Sequence, residues 1–296
     1  MSGSLLTAVL AGVGGMLGWG LSDFLAKKTF DRVSEVTRLF WSQLAGLVPL
    51  LGLFAVVRTV PTVHHMDALW LALFGIVIAL AHLALYVGFA KGSISFLSPV
   101  FSSQAILIVV LSALVFGEHI TGPQWAAIIV VIVGVLAIST TLPELAQVVR
   151  GSRGRMTRGL PHVLVAAVAF AFWDVALNRF LGVRDWLFFL IMIRVAAAFT
   201  IGVYAIVTNA SLALPRRAPA LAAWVSLVGL TDAAAFGAVT YGFSATTHTS
   251  IVAVISAAFS VPTLVLARVF LRERLATQQK IAAGIIVCGI ALVSVH

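Results

Sequence analysis

Long apolar runs, each close to twenty residues and separated by short polar gaps, organise this chain from end to end. A helix rises about 1.5 Å per residue, so about twenty apolar residues cross the hydrocarbon of a bilayer. Ten such runs can be placed, at residues 5–26, 36–57, 68–90, 94–116, 124–141, 160–181, 186–207, 220–243, 250–271 and 278–295. They predict an all-α membrane protein of about ten transmembrane helices. Most gaps are a few residues long, which makes consecutive helices antiparallel neighbours. The first run lacks the basic start of a signal peptide and is long enough to span, so it reads as the first helix.

Composition agrees with lipid as the solvent. Of 296 residues, 61% are apolar and 10% charged, where soluble domains carry about 45–50% and about 25%. The formal net charge is +9. In a soluble protein that would suggest nucleic acid. Here the basic residues sit between the apolar runs and report topology, so no nucleic-acid partner is expected. Thirteen of them, among them Lys27, Lys28, Lys91, Arg150, Arg158, Arg216 and Arg272, follow odd-numbered runs, against Arg58, Arg179 and Arg184 near even-numbered ones. The bias places the odd connections in the cytoplasm and both termini outside. The lone Cys288 excludes an intrachain disulfide and a cysteine metal site. No cofactor and no metal are expected.

The longest gap, 142–159, is basic and contains Gly and Ser, which suits a surface connection near mid-chain. Around it the sequence repeats. Tyr86, Gly88 and Phe89 match Tyr241, Gly242 and Phe243. Glu118 matches Glu273, Gly134 matches Gly289, Trp19 matches Trp173 and Arg38 matches Arg194, all at offsets of 154–156. The expected units are residues 1–150 and 151–296. Five helices per unit is odd, so the copies enter the membrane from opposite sides, as in inverted-repeat transporters.

Polar groups inside spanning helices need a partner or a wet cavity, which makes them the site candidates. Residues four apart share a helix face. Trp19 pairs in this way with Asp23, His82 with Tyr86, Asp174 with Asn178, and Asp232 with Phe236. Gln104 lies inside the fourth run, and Phe259 stands between Ser256 and Ser260 in the ninth. The expected solute contacts are Trp19, His82, Tyr86, Gln104, Trp173, Asp174, Asp232 and Phe259. Asp23, Arg38, Glu118, Arg194 and Glu273 are read as gating or structural. Asp23 has Lys27 four residues on as a surface partner, and Asp232 is either a site residue or a buried acid paired with Arg194 or His82. The fifth and tenth runs hold almost no internal polar residue and read as scaffold, with Gly134, Gly284 and Gly289 permitting close backbone contact.

Trp19-Gly20, Arg38, the stretch from Ala90 to Pro99 and Val100, Phe116-Gly117-Glu118 and Leu271-Arg272-Glu273 together resemble the drug/metabolite transporter superfamily in its ten-helix EamA-type branch. The resemblance covers nearly the whole chain. It implies a central cavity lined by helices one, three, four, six, eight and nine. Ala253 stands near the counterpart of Pro99, so the second half departs from the pattern there and a bend like that of the fourth helix is in question.

The expected function is secondary transport of a small polar metabolite by alternating access, in a multi-pass protein of the cell membrane, as a monomer or weak dimer. A proton is the candidate coupling ion. Ring faces and a carboxylate suit an ammonium group, the two arginines suit a carboxylate, and an amino acid would use both. The alternatives are a membrane-embedded enzyme and a scaffold subunit. No nucleotide-binding loop, H-E-x-x-H or G-x-S-x-G motif occurs.

Overall fold

A computed structural model of the chain describes residues 3–26, 28–29, 32–57, 61, 65–91, 97, 100–101, 103–117, 120–139, 159–181, 185–214, 219–270 and 277–295. Among these there are ten helices: α1 (Gly3–Ala26), α2 (Glu35–Val57), α3 (His65–Lys91), α4 (Gln104–Phe116), α5 (Gly122–Ser139), α6 (Leu160–Leu181), α7 (Trp186–Val207), α8 (Pro219–Ala245), α9 and α10 (Thr277–Val295). The ninth is split. It runs as Thr249–Ser256, tightens to a 3-10 turn at Ala257–Phe259 and continues as Ser260–Phe270.

Among the described residues, six helices, α1, α2, α3, α6, α7 and α8, are unbroken, long and apolar enough to cross a membrane. The fourth span was expected over 94–116. Its described helix starts at Gln104, although Leu97, Val100 and Phe101 are also helical. Gly117 ends α4 in the left-handed conformation (φ 60°), a backbone state that Gly adopts without steric cost.

The doubt over a bend in the ninth helix resolves at a different residue. Ala253 lies within the first segment, and the 3-10 turn sits just before Pro262. Proline has no N–H to give to the carbonyl four residues back, and its ring crowds that carbonyl. Here the carbonyl belongs to Ala258, inside the turn.

Helix contacts come in exchanged pairs. α1 packs on α8 as α6 packs on α3; α2 packs on α8 as α7 packs on α3; α1 packs on α9 as α6 packs on α4. The α2–α7, α4–α9 and α5–α10 contacts map onto themselves under the same exchange. A two-fold relation between halves produces this pattern. With five helices in each half, its axis must lie in the membrane plane.

The polarity of the packing is that of a protein in lipid. Val56, Leu114, Phe199, Ile206 and Val207 are strongly exposed, while Arg38, Gln43, Gln104 and Arg194 are buried. As expected, α5 and α10 pack on each other through glycine. A Cβ at Gly289 would lie 2.6 Å from Val131 Cγ2, and one at Gly134 would overlap Ile286. Gly284 corrects the expectation. It faces open space, because it lies on the side of α10 turned away from α5.

Connections are anchored at the ends. Asp185 caps α7, its carboxylate accepting from Phe188 N at 2.8 Å. Trp41 Nε1 and Thr37 Oγ1 on α2 donate to the carbonyls of Leu212 and Ser211, at 2.8 and 2.7 Å. Lys91, exposed at the end of α3, donates to His162 Nε2 on α6 at 3.1 Å and ties the halves together.

Candidate transport site

The inward faces of helices from both halves meet in an aromatic cluster. Trp19 (α1) stands edge-on to Phe236 (α8) with ring centroids 5.1 Å apart, and Trp173 (α6) stands edge-on to the same ring at 5.9 Å. His82 (α3) lies 4.7 Å from Phe170 and 6.3 Å from both Phe236 and Tyr86. Phe101 meets Phe170 at 5.2 Å. Trp19, His82 and Tyr86 are only partly buried although they point inward. Part of the surface of each is left uncovered by the neighbouring rings.

Two polar anchors hold the cluster. Trp173 Nε1 donates to Phe74 O at 2.9 Å, which pins α6 to α3. A buried indole N–H normally finds such an acceptor. His82 Nδ1 bonds Ile78 O at 2.9 Å. A carbonyl only accepts, so Nδ1 carries the proton and, in the neutral ring, Nε2 remains as an acceptor.

The charged groups divide sharply. Arg194 (α7) donates through Nη2 to Asp232 Oδ2 on α8 and through Nη1 to Gln43 Oε1 on α2, the latter at 3.1 Å. Asp232, partly buried, thus has Arg194 as an ion-pair partner, one of the two partners considered from the sequence. It is also within electrostatic reach of His82 and Tyr86. Arg194 lies 5.6 Å from the Phe236 centroid, and Arg38 lies 5.7 Å from that of Tyr86 while donating to Val33 O at 2.9 Å. Asp23 is exposed on α1 and within reach of Tyr86; Lys27, its expected surface partner, lies outside the described residues. So do Glu118 and Glu273.

Asp174 is different. It sits seven residues from the end of α6, opposite the exposed Phe172 and Ala176. No ion pair or hydrogen bond engages its carboxylate among the described residues, and no charged group acts on it. A carboxylate at the centre of a spanning helix costs about 2.5–3.5 kcal/mol on insertion scales.

Seven of the eight expected contacts have a clear place. Trp19, His82, Tyr86 and Trp173 are in the cluster, Asp232 borders it, and Asp174 lies one turn beyond Phe170. Gln104 is buried at the start of α4, and its Oε1 has no hydrogen-bond partner among the described residues. Phe259 is not joined to the cluster by a ring contact among the described residues. Its carbonyl, at the α9 break, accepts from Thr263 Oγ1 at 3.0 Å, and the same hydroxyl reaches Gly20 O. The geometry adds Phe170 and Gln43, which the sequence reading passed over. Gln43 had a signal, since it is a polar residue well inside a spanning helix. Phe170 had one as well, four residues before Asp174 and hence on its face.

An apolar crevice of about 320 Å3 lies between α2 and α7 on the lipid side, lined by Phe40, Leu44, Leu47 and Phe199 among others. It has no polar group suited to a metabolite.

Comparison with known proteins agrees with this architecture. None of the curated proteins compared matches the chain in sequence. Among solved structures, one crystal structure superposes with a TM-score of 0.78 at 18% identity, over 96% of this chain and 95% of the other. At that identity the likeness concerns the fold. The sequence pattern of the EamA-like transporter family matches residues 6–140 and again 157–295. The chain is therefore a multi-pass membrane protein of the EamA-like transporter family, within the drug/metabolite transporter superfamily.

Proposed function

We propose that this transporter moves a small polar metabolite, an amino acid, an amine or a related solute, through the space between its two halves by alternating access. The observation that carries this reading is the convergence of Trp19, His82, Trp173 and Phe236, with the Arg194–Asp232 pair, from two helices of the first half and three of the second. A site at the interface of inverted repeats can open to either side as the halves rock. One chain builds the whole space, so a second copy is not needed to complete it. The units meet within the 142–159 connection, at about residue 150.

The test is solute counterflow in proteoliposomes containing the purified full chain. Vesicles preloaded with one member of a panel of amino acids, amines, sugars and nucleosides are given a trace of the same labelled compound outside. Saturable accumulation without ATP is expected for at least one amino acid or amine. Accumulation equal to that of protein-free vesicles for every compound would defeat the proposal.

The charge bias also orients the chain in the cell membrane, with odd-numbered connections cytoplasmic. A reporter fused after His296 should signal from the outer face of intact cells, and the Arg150–Arg158 stretch should resist external protease. A C-terminus accessible only after permeabilisation would reverse the orientation.

A further inference from the structure

The charges facing the central space are not balanced. Arg194 is committed to Asp232 and Gln43, and only 3% of it is exposed. Arg38, at 1% exposure, is closed off as well. Neither guanidinium is open to a solute's carboxylate. Asp174 is partly exposed, on the face of α6 turned away from lipid, and among the described residues nothing neutralises it. Phe170 lies one turn before it and Asn178 one turn after. His82, against Phe170, presents Nε2 once its Nδ1 is bound to Ile78 O.

An electron-rich ring face attracts a cation, and a desolvated carboxylate attracts it more strongly. The same surroundings disfavour a carboxylate on the solute, because among the described residues they hold an unpaired carboxyl group and no exposed cation. We propose that the solute is a cationic amine whose ammonium group binds the Asp174 carboxylate, with its apolar body against the rings of Trp19, His82, Phe170 and Phe236. This rests on the central space being the transport site. It narrows that reading from amino acids and amines to amines, and it gives the two mid-membrane acids different roles. Asp232 balances Arg194, while Asp174 balances the cargo.

The test uses three indoles of similar size and different charge: tryptamine, tryptophan and indole-3-acetate. Binding to the purified full chain is measured by equilibrium dialysis, and movement by counterflow in proteoliposomes. Tryptamine should bind best and indole-3-acetate worst. A charge-assisted hydrogen bond corresponds to about ten-fold to a hundred-fold in affinity. Asp174→Asn should therefore weaken tryptamine binding by at least about ten-fold, bring the three indoles together in affinity, and leave the size-exclusion profile unchanged. Asp174→Glu should restore part of the preference. Tryptamine binding to folded Asp174→Asn at wild-type strength would overturn the proposal. If the Asn variant does not fold, the order of the three indoles on the wild-type protein decides, and a preference for indole-3-acetate or tryptophan overturns it. Transport of only uncharged solutes would reject the amine and keep the central site. If none of the wider panel moves, the transport reading and this one fall together.

Discussion

Asp232→Leu is expected to remove most of the folded protein from the membrane. The substitution strands the Arg194 guanidinium among apolar neighbours, with only Gln43 left to it. Removing one partner of a buried pair costs about 3–5 kcal/mol, and a whole domain is stable by only about 5–15 kcal/mol. Arginine has no means of shedding its charge. The reverse deletion, Arg194→Met, should do less damage. The Asp232 side chain is 17% exposed against 4% for Arg194, and a carboxylate left alone can take up a proton. The double variant Arg194→Met/Asp232→Leu should recover much of the loss, because a well-packed apolar pair has no charge to desolvate. Heating detergent extracts and measuring the monodisperse fraction by fluorescence-detected size exclusion gives all three values. A wild-type midpoint for Asp232→Leu would show that the pair does not hold α7 to α8. Asp232→Asn asks a separate question, since it keeps an acceptor for Arg194. Normal folding with lost transport would add Asp232 to the solute's contacts.

Gly229→Val should be comparably severe for a steric reason. Where α8 crosses α2, a Cβ on Gly229 would lie 2.9 Å from both the carbonyl carbon and Cα of Ser42 and closer still to its oxygen. On the other helix, a Cβ on Gly46 would lie 2.8 Å from Gly229 O and would strike Arg194 Nη1. The two glycines let the backbones touch just where Arg194 reaches across to Gln43. Overpacking an interior costs about 1–3 kcal/mol, and backbone yields less readily than a side chain. Valine here should therefore cost about 3 kcal/mol or more and loosen the Arg194 contacts. Gly52 provides the control on α2. Nothing lies within 4 Å of a Cβ there, so Gly52→Ala should gain up to about 1 kcal/mol from helix propensity alone. Equal melting of Gly229→Val and Gly52→Ala would refute the close crossing.

The architecture was legible in the sequence because lipid imposes requirements on length and composition. A spanning segment must be long and apolar, so ten runs announce ten helices. A repeat of five shows in residues as sparse as Trp19 and Trp173 or Gly134 and Gly289, because both copies fold by the same rule. The site candidates were legible for a related reason. A polar residue inside an apolar run is costly, and it stands out.

What the polar residues do was left to the tertiary structure. In water, the apolar stripe of a helix reveals which face is buried. In lipid both faces are apolar, and exposed Phe199 reads in sequence like buried Phe189. Helix rotation is then hidden, and with it the partner of each charge. Asp174 and Asp232 look alike along the chain, each an acid deep in a run with an aromatic residue on the same face. Only the packing of α7 against α8 puts Arg194 beside Asp232, 38 positions away, and leaves Asp174 without a partner among the described residues. The break in α9 was hidden for a similar reason, since Pro262 disrupts the turn before it rather than its own position. Local chemistry sets the helices and their number. The rotation and close crossing of helices distant in sequence decide which charges cancel inside the protein.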